Sequence, residues 1–225
     1  MSQENTAATA PVPTRPASAA AARAVGVGCA VLVAVPLLLV LAFAVWIAVV
    51  TKDASDFPRA APEEMASRAA ERSQEAYGVL GFTRTVGPGA GQPGVSSGNA
   101  FGSDACYRGG LTDEAVDGAY RMHHSWALDH VPAEQARAGL RRLRDHLADT
   151  GWDITSYREN VSGDYWDLYA SRSDGEERMS FRWFADRGYF TGGASVACAV
   201  DPDWREGDDA PGDGLTPPDL HPSSP

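Results

Sequence analysis

The chain has 225 residues and a formal charge of −11, and not all of that length can serve one core. Residues 1–23 carry +1 and residues 201–225 carry −6, which leaves −6 to residues 24–200. No stretch gathers the cations that a nucleic acid requires, so nucleic acid is excluded as a partner.

Residues 1–23, MSQENTAATAPVPTRPASAAAAR, are mostly Ala, Pro, Thr and Ser. They have almost nothing to bury, which predicts a disordered tail. From Ala24 to Thr51 no residue is charged. A helix needs ~20 apolar residues to cross ~30 Å of hydrocarbon, so residues 24–51 read as a transmembrane helix in contact with the lipid bilayer. Pro36, which would kink a soluble helix, is tolerated in such a span. A rival reading is a cleaved signal peptide, because Ala42-Phe43-Ala44 fits the small-x-small rule. Against cleavage, the apolar run before that site exceeds the usual ~7–15 residues, and residues 45–50 continue it. Trp46 suits an interfacial anchor. Cys29 precedes the apolar core instead of following it, and Gly26-Val27-Gly28 lacks the leucine of a lipidation site.

Orientation is a tie by basic residues, with Arg15 and Arg23 before the span and Lys52 and Arg59 after it. The cysteines decide it. Cys106 and Cys198 lie outside the span, both within a single domain expected over residues 52–200. A pair so placed suits an oxidising compartment, which predicts a disulfide, a cytoplasmic N-terminus and an extracytoplasmic domain. Two unrelated buried thiols in a cytoplasmic domain are the alternative.

The domain opens with a helix in APEEMASRAAERSQEAYGVL. Pro62 suits its first turn, Glu63 and Glu64 complement its dipole, and Met65, Ala69, Ala76 and Leu80 form a weak apolar face. GPGAGQPGVSSGNAFGSDAC reads as a flexible loop. Its Gly87-x-Gly89-x-Gly91 has neither the spacing nor the following helix of a phosphate loop. In DGAYRMHHSWALDHV, alternation puts Tyr120, Met122, His124, Trp126 and Leu128 on one face of a strand. PAEQARAGLRRLRDHLADTG is the clearest helix, striped by Ala136, Leu140, Leu143 and Leu147 and ended by Gly151. Its arginines 137, 141, 142 and 144 read as a solvated face, with Glu134 and Asp145 as partners. Four strands follow over residues 152–159, 165–172, 178–185 and 189–200. The turns between them are short, and Asp174-Gly175 is a strong hairpin signal, so neighbours must be antiparallel. Residues 201–225 hold seven acids, one arginine and six prolines, which predicts a loose acidic tail.

The fold class is therefore α+β. An N-terminal transmembrane helix precedes a small domain, in which one or two helices cover one face of an antiparallel meander in the order α-β-α-β-β-β-β.

The sequence nominates no catalytic, cofactor-binding or metal-ligating residue. His123 and His124 are adjacent on a strand and point to opposite faces, while His124 and His130 are ~20 Å apart. Asp201, Asp203, Glu206, Asp208 and Asp209 lack the spacing of a calcium loop. Asn160-Val161-Ser162 fits a glycosylation sequon but reads as a turn. Tyr120, Trp126, Trp152, Trp166 and Trp183 should share the inner face, either as packed core or as the wall of a ligand groove. Lys52 is the only lysine against eighteen arginines, a composition that resembles the codon bias of a GC-rich bacterium. These features suggest a membrane-anchored, non-enzymatic binding or accessory module of a bacterial envelope, with an envelope protein or a cell-wall ligand as partner. Two alternatives stand beside it: a hydrolase or transferase acting on the wall, and a partner-binding domain facing the cytoplasm.

Overall fold

Among the described residues, seven strands between Gly98 and Val200 form one sheet, all paired antiparallel, with the helices Pro62–Leu80 and Ala133–Asp149 packed on one of its faces. The computed structural model describes residues 35–43, 57–108, 114–159, 165–208, 211–212 and 214–223. Residues 35–43 are helical with exposed apolar side chains. The remainder of the span expected over 24–51, the tail before it and the 160–162 sequon lie outside the described residues. Among the described residues, no helix is long and apolar enough to cross a membrane.

Helix α1 (Pro62–Leu80) begins as expected, with proline in its first turn and Glu63 and Glu64 beside the dipole's positive end. Met65, Ala69, Ala76 and Leu80 are all buried. Strands β1 (Gly98–Arg108) and β2 (Glu114–Leu128) follow as an antiparallel pair. Helix α2 (Ala133–Asp149) then carries the chain over the sheet to its far edge. The meander β3 (Asp153–Glu159), β4 (Tyr165–Arg172), β5 (Glu177–Phe184) and β6 (Tyr189–Ser195) returns until β6 pairs with β2. The order across the sheet is β1-β2-β6-β5-β4-β3, and the short β7 (Ala199–Val200) also pairs with β2.

One core lies between the sheet and the helices. Leu140, Leu143 and Leu147 of α2 pack there with Trp152, Trp166 and Trp183, as the stripe predicts. Gly151, one residue past the cap, takes φ 83°, the left-handed turn that ends the helix. The two helices approach closely because Gly139 has no side chain; a Cβ there would lie 2.8 Å from the Leu80 carbonyl oxygen. Arg142 uses that approach, donating from Nε to the Val79 carbonyl at 3.2 Å and from Nη2 to the Leu80 carbonyl at 2.7 Å. It thereby satisfies carbonyls that the end of α1 leaves without a helical partner.

The arginines of α2 are thus not simply a solvated face. Arg137 lies 4.3 Å from the centre of the Trp166 ring and Arg144 lies 4.9 Å from that of Tyr157. Arg141 binds Glu159 through two hydrogen bonds of 3.0 Å, and that pairing holds the Glu159 carboxyl at about 2. Of the expected partners, Asp145 pairs with Arg144 at 2.7 Å.

Three further differences from the expected chain have physical causes. The second half of the glycine-rich loop is strand β1, whose small residues gave no apolar alternation yet pair with β2 from Gly98 to Ala105 without a break. The last strand is interrupted between β6 and β7. Strands separated by one intervening strand lie ~9.6 Å apart, whereas the Cα atoms of Cys106 and Cys198 are 6.2 Å apart, at disulfide distance. The bulge between Ala105 and Tyr107 and the break after Ser195 bring them together across β2.

The third difference is the C-terminal segment, which is docked where looseness was expected. Val86 and Leu220 exchange backbone bonds of 3.0 and 2.9 Å, and Asn99 Nδ2 donates to the Pro218 carbonyl at 3.0 Å. Gln74 brackets His221 with bonds of 2.8 and 2.9 Å. Leu220 reaches the core, fully buried, while Leu215 packs against the neighbouring cluster and the prolines pre-set extended backbone between and after them. Nearer β7 the acids serve their own turns, Asp201 accepting from the Asp203 N–H and Asp208 from that of Arg205.

Leu143→Ala and Leu220→Ala should each cost roughly 2–5 kcal/mol, the range for buried leucine truncations. Urea unfolding of the full chain measures both. A Leu220→Ala loss within experimental noise would detach the segment from the core.

Candidate functional site

The five aromatics singled out from the sequence are packing residues. Trp126, Trp152, Trp166 and Trp183 are buried in the main core, and Tyr120 lies in a neighbouring cluster with Met65, Ala66 and Met122. Trp166 stacks on Trp183 at 4.5 Å, and Trp126 meets Tyr77 edge-on at 5.1 Å and Phe190 face-on at 5.6 Å. Two of them commit a polar atom inside, Trp183 Nε1 donating to the Val131 carbonyl and the Tyr120 hydroxyl to that of Ala60, whereas Trp126 Nε1 is buried without a partner. Burial raises the Tyr120 phenol well above its ordinary range. The helices close over these rings, leaving the opposite face of the sheet as the surface open to a ligand.

Cross-strand register orders that helix-free face into rows. The middle row reads Ala100, Ser125, Gly193, Ser180, Tyr169 and Ser156 from β1 to β3. On one side stand His123, Ser195, Arg178 and Ser171; on the other, Thr191, Arg182, Asp167 and Arg158. Ser125, Gly193 and Ser180 are low in the middle, with His123 and Arg178 on one side, Arg182 on the other and Tyr169 beyond Ser180, so the surface there is a trough. Gly193 deepens it; a Cβ there would meet the His124 carbonyl oxygen at 2.7 Å. The largest hollow, of about 680 Å³, is bordered by Asp104, His123, Tyr169 and Arg178. Hollows of about 360 and 220 Å³ adjoin it, and all three share Ser180.

The trough's chemistry is hydroxyl and guanidinium. Arg182 Nη2 donates to the Tyr169 hydroxyl at 2.5 Å, and Arg178 Nε donates to the Gly175 carbonyl at 2.8 Å. Arg158 is neutralised by buried Asp167 at 3.0 Å. The one titratable pair in the main hollow is His123 with Asp104, Nδ1 to Oδ2 3.6 Å. A second groove, about 430 Å³, lies between α1 and the docked C-terminal segment, with Ala66, Ala70, Phe101 and Leu215 inside and Glu63, Glu71 and Asp219 at its rim.

The histidines divide as strand alternation requires. His123 faces the trough and His124 the interior, where it is fully buried beside Phe101 at 5.2 Å. Neither ring nitrogen of His124 has a partner. Burial, with His123 adjacent, lowers its pKa from 6.5 to about 4. His130 lies beyond the strand, exposed, with Nδ1 2.7 Å from the Asp129 carboxylate. Among the described residues, no three of His, Cys, Asp and Glu gather to hold a metal ion.

Sequence reasoning missed the trough. Its signal was the polar half of the alternation, Tyr169 and Ser171, Arg178 and Ser180, Thr191 and Gly193, which by itself reads as an ordinary solvated face. Known protein families, curated proteins and solved structures offer no match to the chain.

The unfolded chain takes up a proton near pH 6.5, whereas folded His124 resists it until about 4. His124 therefore contributes stability that is complete above pH 6.5 and drains away as pH falls towards 4. Between pH 7 and 4.5 the wild type should lose ~2–3 kcal/mol more than His124→Leu does, read from denaturant midpoints at both pH values. Equal losses in the two proteins would place His124 in contact with water.

Proposed function

We propose that this is a single-pass membrane protein whose extracytoplasmic domain is a non-enzymatic binding or accessory module of a bacterial cell envelope. In this reading, residues 24–51 anchor it in the lipid bilayer, and an envelope protein or cell-wall ligand is its partner. The observation that carries the proposal is the cysteine pair. Cys106 and Cys198, 92 residues apart, are at disulfide distance within a folded domain. Such pairs persist in oxidising compartments and are reduced in a cytoplasm. The uncharged run from Ala24 to Thr51 supplies an anchor of sufficient length. The trough across the sheet supplies a binding surface on the side away from the helices.

A second reading, a hydrolase or transferase acting on the wall, has one observation in its favour. His123 and Asp104 form a potential acid–base pair inside the largest hollow, 3.6 Å apart. At that separation the two groups are not hydrogen-bonded, and both are partly exposed, so an ordinary surface ion pair accounts for them.

Full-length protein extracted from its native membrane under non-reducing, denaturing conditions should accept a thiol label at Cys29 alone. Cys106 and Cys198 should label only after reduction, and reduction should remove up to ~4.5 kcal/mol of stability. Labelling of both before reduction would return the domain to the cytoplasm. Intact mass of the same sample should include residues 24–51; a mature chain beginning at Val45 would replace the anchor with a signal peptide.

A further inference from the structure

The trough holds guanidinium groups that the protein does not neutralise. Among the described residues, Arg178 and Arg182 form no ion pair, although Arg158 on the same face is paired with Asp167. Both arginines project from β5, two residues either side of Ser180, so they stand on opposite banks of the floor. Their positions are fixed. Arg178 is tied to the Gly175 carbonyl, and Arg182 is tied to the Tyr169 hydroxyl with the Tyr165, Tyr169 and Phe184 rings 5.7–5.9 Å from its Cζ. Each internal tie uses one nitrogen and leaves most of the donors of that side chain uncommitted.

The floor specifies what lies between those charges. Ser125, Ser180 and Tyr169 on the floor and Thr191 on its flank present hydroxyls. Ser125 and Thr191 donate to the Ala100 and Arg182 carbonyls and keep lone pairs to accept. Tyr169 accepts from Arg182 and keeps its O–H to donate, and Ser180 can do both, which matches a polyhydroxylated chain and not an apolar one. At ~4.8 Å between strands, five strands give a floor of ~19 Å, long enough for several linked units. The backbone N–H groups that phosphate sites employ are committed here to an antiparallel ladder on both sides of β5. The forked guanidinium, by contrast, fits the planar carboxylate through two parallel bonds.

We propose that the helix-free trough binds an extended, carboxylate-bearing polysaccharide, with its hydroxyls on the Ser125–Ser180–Tyr169 floor and its carboxylates on Arg178 and Arg182. This names the ligand class for the binding-module reading above and rests on it.

Calorimetric titration of the full-length chain in detergent tests the assignment, with polygalacturonate, neutral dextran and poly(glycerol phosphate) as probes. Polygalacturonate should bind at low salt and weaken as salt screens the arginines. Dextran should not bind, and poly(glycerol phosphate) should bind more weakly. Arg178→Gln with Arg182→Gln should weaken polygalacturonate binding about tenfold or more. Ser180→Phe, which fills the floor while keeping both charges, should do the same. Arg187→Gln with Arg205→Gln, an equal loss of charge away from the trough, should leave binding intact.

Dextran binding as tight as polygalacturonate, stronger phosphate-polymer binding, or no polygalacturonate binding at all would overturn the proposal. So would retained affinity in the folded arginine double variant or in Ser180→Phe. Because these titrations do not depend on which side of the membrane the domain occupies, their failure is separable from that of the labelling test.

Discussion

The fold depends on one close contact at the middle of the sheet. The indole of Trp126 occupies the space directly over Gly192 on the adjacent strand, where any side chain would overlap it. With the indole lying flat there, Phe190 stacks beneath it and Tyr77 of α1 meets it edge-on. Helix α1 can therefore sit low over β2 and β6. Its C-terminal end then meets α2 at Gly139, where Arg142 closes the helix terminus. The strand, the missing side chain and the two helices are one packing unit, and its aromatic rings gain from offset and edge-on geometry beyond their burial.

That contact makes the sheet strongly one-sided. Every second residue of β2, β4, β5 and β6 goes inward to fill the space under the helices, and the intervening ones form the opposite face, where Asp167, Ala127 and Tyr189 are nonetheless buried. The opposite face acquires its shape from what the inner face demands. Gly192 is a requirement of Trp126, whereas its neighbour Gly193 faces outward and contributes the low point of the trough. The trough and the core are thus set by consecutive residues of a single strand.

Much of this architecture was legible in the chain, for reasons that can be assigned to particular residues. The Leu140, Leu143 and Leu147 stripe, the alternation through Tyr120 to Leu128 and the Asp174-Gly175 turn are local signals, and each produced the expected element. The cysteine pair was legible because few residues compete for the role. Strand β1 was not legible, since its pairing is supplied by β2 and its own small residues carry no period. Nor was the docking of Leu220, a contact across 134 residues with Val86 that no local pattern encodes. The trough escaped for a different reason: serine, threonine and arginine on the outward half of a strand look the same whether they bind something or merely face solvent. Only the register, which lines up Ser125, Gly193, Ser180 and Tyr169 from four strands, distinguishes the two.

The docked C-terminal segment also sets an order of events during synthesis. Val86 and Asn99, early in the domain, are completed by Leu220 and Pro218, the Asn99–Pro218 pair lying 119 residues apart in the chain. Cys106 likewise waits for Cys198. A chain made N-terminus first must hold the apolar pocket destined for Leu220 open until that residue has been added. The pocket is therefore closed only after residue 220 is made, and until then the nascent chain presents it to a chaperone.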